Sequence, residues 1–157
     1  MKKRYKVLII LGAIFVLFVL FLSFEGMKKL SGIDYMLLAG DDDVVLCHYD
    51  GDWYCGEVVT GHGCFVENVF WDNKYIVATA KIGNTNTNIY YVVEQLELDT
   101  FIVCNSGRKI SWNKKNGNPW ITEEYGQYAS FCNRLQELNI DTTQMRHYSW
   151  KYWVGIY

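Results

Sequence analysis

From Asp34 to Cys104, turn-forming residues interrupt the chain about every 8–12 residues, and this rhythm restricts it to a β-rich fold. Tyr35 to Leu38 precedes the turn Gly40-Asp41-Asp42-Asp43, and Val44 to Tyr49 precedes Asp50-Gly51-Asp52. Asp and Gly tolerate positive φ, so the second of these suits a tight hairpin. Trp53 to Thr60 ends at Gly61-His62-Gly63, and Cys64 to Trp71 ends at Asp72-Asn73. Lys74 to Ile82, Asn88 to Leu96 and Thr100 to Cys104 continue the series as an antiparallel meander.

Side-chain alternation orients two of these strands. Ile76, Ala78, Ala80 and Ile82 share one face at period two. In the next strand Ile89, Tyr91 and Val93 face one way, yet Tyr90 and Val92 are also apolar. That predicts cover on both faces, as under a helix.

The polar stretch Asn105 to Asn118 reads as a loop or weak hairpin. The period then changes. Thr122 is a candidate helix cap, with Glu123 and Glu124 in the first turn. Tyr125, Tyr128, Ala129, Cys132, Leu135 and Leu138 recur at helical spacing, and Asn139 closes the helix. Tyr148 to Tyr157 alternates as a final strand. The expected class is α+β: a mostly antiparallel sheet of six to seven strands with one C-terminal amphipathic helix packed on it.

The N-terminus follows another rule. Val7 to Leu22 carries no charge, and Phe24 extends the run. About 18 helical residues reach about 27 Å, close to the thickness of a hydrocarbon core. Lys2, Lys3, Arg4 and Lys6 precede it and hold that end in the cytoplasm. Phe24 and Glu25 make a poor signal-peptidase site, and the first Cys after the run is Cys47. The expected organisation is an uncleaved signal anchor over residues 1–26, a tether over 27–33 and an exported domain over 34–157. The membrane, contacted through residues 7–24, is the first expected partner, and the location is a single-pass membrane protein with its domain outside the cytoplasm.

From Met27 onward, 11 Lys and Arg stand against 16 Asp and Glu, a net charge near −5. An acidic domain without a basic face argues against nucleic-acid binding.

The segment Val69-Phe70-Trp71-Asp72-Asn73-Lys74-Tyr75-Ile76-Val77-Ala78, the later Ile89-Tyr90-Tyr91-Val92-Val93 and the Pro119-containing lead into the helix resemble a domain family of small exported bacterial proteins, many of them lipoproteins, with a W-D-x-K-Y-I hairpin. The resemblance spans residues 35 to 141. It implies export and an α+β fold and transfers no catalytic residue, because the family has no known function. This chain departs from it by lacking a lipid-anchor cysteine, which leaves the apolar run as the anchor.

In an exported chain, five cysteines point first to disulfides. Cys47 and Cys55 flank one turn, Cys55 and Cys64 the next, and only one of those pairings can exist. Cys64 or Cys55 with His62 is the candidate pair for a small thiol-dependent hydrolase, although nothing marks an orienting group. The Cys and His spacing does not make a zinc knuckle, and the Asp-rich turns do not match a calcium loop. No cofactor, metal ligand or catalytic residue is therefore assigned. The aromatic content is high, and all six Trp lie beyond the apolar run. Trp53, Trp71, Trp112, Trp120 and Trp150 are the candidate contact patch for a protein or glycan, since aromatics with a polar tip favour interfaces. The expected role is a non-enzymatic binding or accessory module. Its rivals are the thiol hydrolase and an inhibitor or immunity-type protein that binds another exported protein.

Overall fold

The computed structural model describes residues 9–17, 27–39, 43–49, 55–61, 63–83, 85, 87–96, 109–112 and 118–149. Among them the fold is α+β, with a mostly antiparallel sheet and a helix against it. The strands are β1 (Met27–Lys29), β2 (Tyr35–Ala39), β3 (Val44–Tyr49), β4 (Cys55–Val58) and β5 (Cys64–Trp71), followed by β6 (Tyr75–Ile82), β7 (Thr87–Gln95), β8 (Lys109–Trp112), β9 (Pro119–Tyr125) and β10 (Arg146–Ser149). The helix α1 spans Tyr128–Glu137. The expected strand Thr100 to Cys104 lies outside the described residues, as does the tail from residue 150.

The main path through the sheet runs β1-β2-β3-β5-β6-β7-β9-β8. The expected meander holds from β1 to β4 and again from β5 to β7. It breaks between them, because β4 and β5 share one edge of β3, and after β7, because β9 and not β8 pairs with β7. β5 meets β3 in parallel at Val44–Phe65 and β6 along its opposite edge, and β10 pairs with the far end of β5. Tight turns hold the central strands. The Asp72 carboxylate accepts from the backbone N–H of Lys74 and Tyr75, both at 2.7 Å, and closes the β5–β6 hairpin.

The sheet curls on itself. Tyr35 of β2 and Trp120 of β9 are separated by four strands in the sheet order, yet their rings meet edge to face with centroids 5.4 Å apart. The core fills the inside of this curl. Ile76, Ala78 and Ala80 of β6 enter it with Ile89, Tyr91 and Val93 of β7, as the period-two reading requires. Ile82, expected on the same face, lies at the rim and is exposed.

The reverse face of β6 and β7 carries the helix. Val77, Val92 and Phe131 form a second, smaller cluster there. α1 ends in a Schellman arrangement, with Ile140 N–H donating to Leu135 O at 2.9 Å and Asn139 N–H to Gln136 O at 3.0 Å. Asn139 takes φ +53°, a left-handed angle that Asn tolerates better than most residues. Leu135 and Ile140 each pack against the cluster below.

Two expectations are corrected. Thr122 does not cap a helix, because Pro119–Tyr125 is a strand between β7 and β8, with Thr122 opposite Val93 and Lys109. The helix begins later, after Gln127. Long-range pairing on two edges outweighs a local helix signal. Lys109–Trp112, in the stretch expected as a loop or weak hairpin, is the edge strand of that antiparallel pairing. Residues 27–33 are not a tether: β1 pairs with β2, and Leu30 and Ile33 are buried in the core. Gly32, at φ +89°, lets the chain turn there, and a Cβ would stand 2.6 Å from the Arg146 guanidinium.

At the N-terminus residues 9–17 are helical. Among the described residues no helix is long and apolar enough to cross a membrane.

Candidate functional site

Of the five tryptophans expected in a contact patch, the two whose side chains are described, Trp71 and Trp120, are buried. Trp71 is buried, and its indole N–H donates to Ser31 O at 3.0 Å. Trp120 is fully buried beneath Tyr35. The curl of the sheet turns both inward, where they stabilise the core. Trp112 stands opposite Pro119 on β8, and its side chain, like Trp53 and Trp150, lies outside the described residues.

The cysteines divide by chemistry. Cys47 is disulfide-bonded and fully buried. Cys64 and Cys132 are free thiols, so the Cys55–Cys64 alternative does not form. The register sets Cys55 opposite Tyr49 and Cys47 opposite Val58, with a bulge between them. The Cys55 side chain and His62 lie outside the described residues. Cys64 faces the core, and its Sγ is 3.7 Å from the Tyr91 hydroxyl. Burial, and then the Cys64 thiol, push the Tyr91 phenol well above its ordinary pKa. A reactive thiol needs an accessible, electropositive setting, and Cys64 has an apolar core and a neutral phenol. Asp43, from the first Asp-rich turn, accepts from Gly63 N–H at 3.3 Å and serves that turn. Among the described residues no group of three or more His, Cys, Asp or Glu is placed to hold a metal ion.

The structure brings together two groups that the sequence reading did not assemble. The first is aromatic. Tyr90 of β7 stacks on Phe131 of α1 with centroids 4.8 Å apart, and Tyr128 packs against Tyr90 at 5.5 Å. Tyr125, at the end of β9, closes the group at 6.4 Å from Phe131. Tyr128 is 63% exposed and presents the outer ring. Its phenol is pushed upward by the Cys132 thiol, one turn on. Glu124, opposite Tyr91 in the register of β9 with β7, is exposed and stands on the other face of the sheet.

The second group is charged. Arg134 of α1 reaches back to β9, donating from Nε to Glu123 Oε2 at 2.7 Å and from Nη2 to Oε1 at 3.2 Å. This two-pronged contact is the strong form of an arginine–carboxylate pair. Glu137 lies 3.2 Å from Nη1 and Glu94 3.9 Å from Nη2. Lys74 joins through Glu94 at 3.7 Å, and the Tyr125 hydroxyl donates to Glu123 at 2.6 Å. The network fixes α1 on the sheet and so fixes the tyrosines beside it. The alternation that exposes Tyr90 on the reverse face of β7 was readable; the partner it meets depends on where the helix starts.

Comparison with protein-family models, with curated proteins and with solved structures returns no match to this chain. At the surface this arrangement presents the ring and hydroxyl of Tyr128.

Proposed function

We propose that this chain is a membrane-anchored extracytoplasmic binding module. The apolar N-terminal helix carries the reading. Ile9, Phe15 and Leu17 are 65–70% exposed, and Ile10, Leu11, Ile14 and Val16 are 57–58% exposed. A helix apolar on every face needs an apolar surround. A bilayer meets that need, with residues 7–24 as the span and the four cations ahead of it on the cytoplasmic side. The resemblance to exported bacterial proteins supports the same placement.

On this reading the partner is a protein or glycan that meets the tyrosine group at the start of α1. Exposed Tyr128 supplies a ring face and a hydroxyl to that contact, the kind of anchor an inhibitor or immunity-type role would use. Two measurements test the proposal. The chain is expected to resist alkaline extraction from membranes, and a C-terminal reporter to be reached by protease only from outside the cytoplasm. A reporter reached only from the cytosol overturns the placement. Capture of a partner from membranes is expected to fall at least about ten-fold for Tyr128→Ala, the size of a hot-spot loss, without loss of folding. Unchanged capture removes the tyrosine group from the contact.

A further inference from the structure

We propose that the β1–β10 edge of the domain lies against the anionic headgroups of the membrane that anchors it. The inference rests on the anchor reading above and adds an orientation to it. Phe24 ends the apolar run and Met27 opens β1. Three residues span at most about 11 Å. The headgroup layer on each side of a bilayer is about 5–8 Å deep, so β1 begins within it or just beyond it. Because β1 is a paired strand and not a tether, it cannot swing the domain away from the surface.

The distribution of cations then decides what meets the lipid. Lys74, Lys81 and Arg134 each have a glutamate partner. Lys28, Lys29 and Arg146 have no carboxylate partner among the described residues, and all three are exposed. They also lie at one end of the fold. Arg146 of β10 donates to Ser31 O, next to β1. Lys28 sits 5.1 Å from the Tyr148 ring of β10, and Lys29 sits 3.9 Å from the Tyr49 ring. Among the described residues of this acidic domain, the cations without a carboxylate partner therefore lie where the chain leaves the bilayer. Cations backed by tyrosine rings suit a headgroup layer, where an apolar body and a polar tip are both accommodated. Anionic lipid attracts such cations within a Debye length, about 8 Å at physiological salt.

The test uses the full chain in nanodiscs of phosphatidylcholine, with and without phosphatidylglycerol, and follows hydrogen exchange. Amides of 28–31 and 146–149 are expected to exchange roughly ten-fold more slowly with phosphatidylglycerol present, and high salt to remove the difference. Lys28→Gln/Lys29→Gln is expected to abolish most of it, and adding Arg146→Gln the remainder. The double variant leaves the Arg146–Ser31 bond in place, and slow exchange across β6 reports that each variant is folded. Equal exchange in the two lipids, in a chain that enters nanodiscs, overturns this surface and leaves the anchor standing. A chain that enters neither nanodisc overturns both.

Discussion

Strands β6 and β7 have two faces, and the two are built to different standards. On the inner face Ile76, Ala78, Val93 and Tyr91 are at most 1% exposed and belong to a core that gathers side chains from six strands, β2 to β9 without β4 and β8, and from both ends of the β1–β2 turn. On the outer face only Val77, Val92 and Phe131 are fully covered, and the rest of the layer is half-buried. The inner face is closed by the curl of the sheet. The outer face is closed by one helix of ten residues, held by a Schellman turn and by Arg134. The difference separates the part that sets stability from the part that can be spared for contact, because surface presented to a partner cannot also be sealed in a core.

Trp120→Ala and Phe131→Ala measure that difference directly. Trp120 fills the centre of the curl, and its loss is expected to cost about 4–5 kcal/mol, the upper part of the range for a large aromatic. Phe131 is also buried but lies in a thin layer that can settle, so about 3 kcal/mol is expected. Urea denaturation of both variants checks the order. Equal losses would show that the helix layer is as tightly built as the core.

The charged network comes next. Arg134→Met leaves Glu123 facing a poorly solvated cleft, and the expected loss is about 1–2 kcal/mol. Glu123→Gln keeps part of the hydrogen bonding and is expected to cost less. A double-mutant cycle between them should give a coupling of about 1 kcal/mol, since the two share one contact. Additive losses would mean that the pair is screened by water and that packing alone holds α1. The same variants sharpen the functional comparison, because displacing α1 should also weaken partner capture through Tyr128.

Much of the inner face was legible because period two is a local property. Ile76, Ala78 and Ala80 needed only their own spacing, and the double apolar pattern of Tyr90 and Val92 announced a second layer. The end of the helix was legible at Asn139 for the same reason. Thr122-Glu123-Glu124 was not, since its strand state is imposed by β7 and β8 from elsewhere in the chain. β1 was missed because Met27-Lys28-Lys29 has no strand pattern of its own and borrows one from β2. The inward turn of Trp71 and Trp120 depends on the curl of the whole sheet, and no window of sequence contains that. Tyr128 was read as part of a buried helical face, whereas the late start of the helix leaves it outside.

The smallest expected effect lies just past the helix, where the thin layer meets solvent. Asp141 opens the short turn Thr142–Gln144 and accepts from the Thr143 hydroxyl at 2.7 Å, the Thr143 backbone N–H at 3.0 Å and Gln144 Nε2 at 3.0 Å. The Thr143 hydroxyl, followed by its backbone N–H, holds the carboxyl below its ordinary value of 3.8. A carboxyl with a depressed folded pKa stabilises the turn in full above the unfolded value, and that contribution is lost as pH falls through the lower, folded one. The turn is therefore expected to persist through pH 4 and to loosen only below the ordinary Asp range, in a step absent from Asp141→Asn. The Thr143 amide resonance, followed by NMR during acid titration, reads it without interference from global unfolding. A midpoint at or above 3.8 would mean that the carboxylate is not held by these bonds in solution, and that the chain between α1 and β10 takes its course from the backbone bond of Ile140 to Leu135 instead.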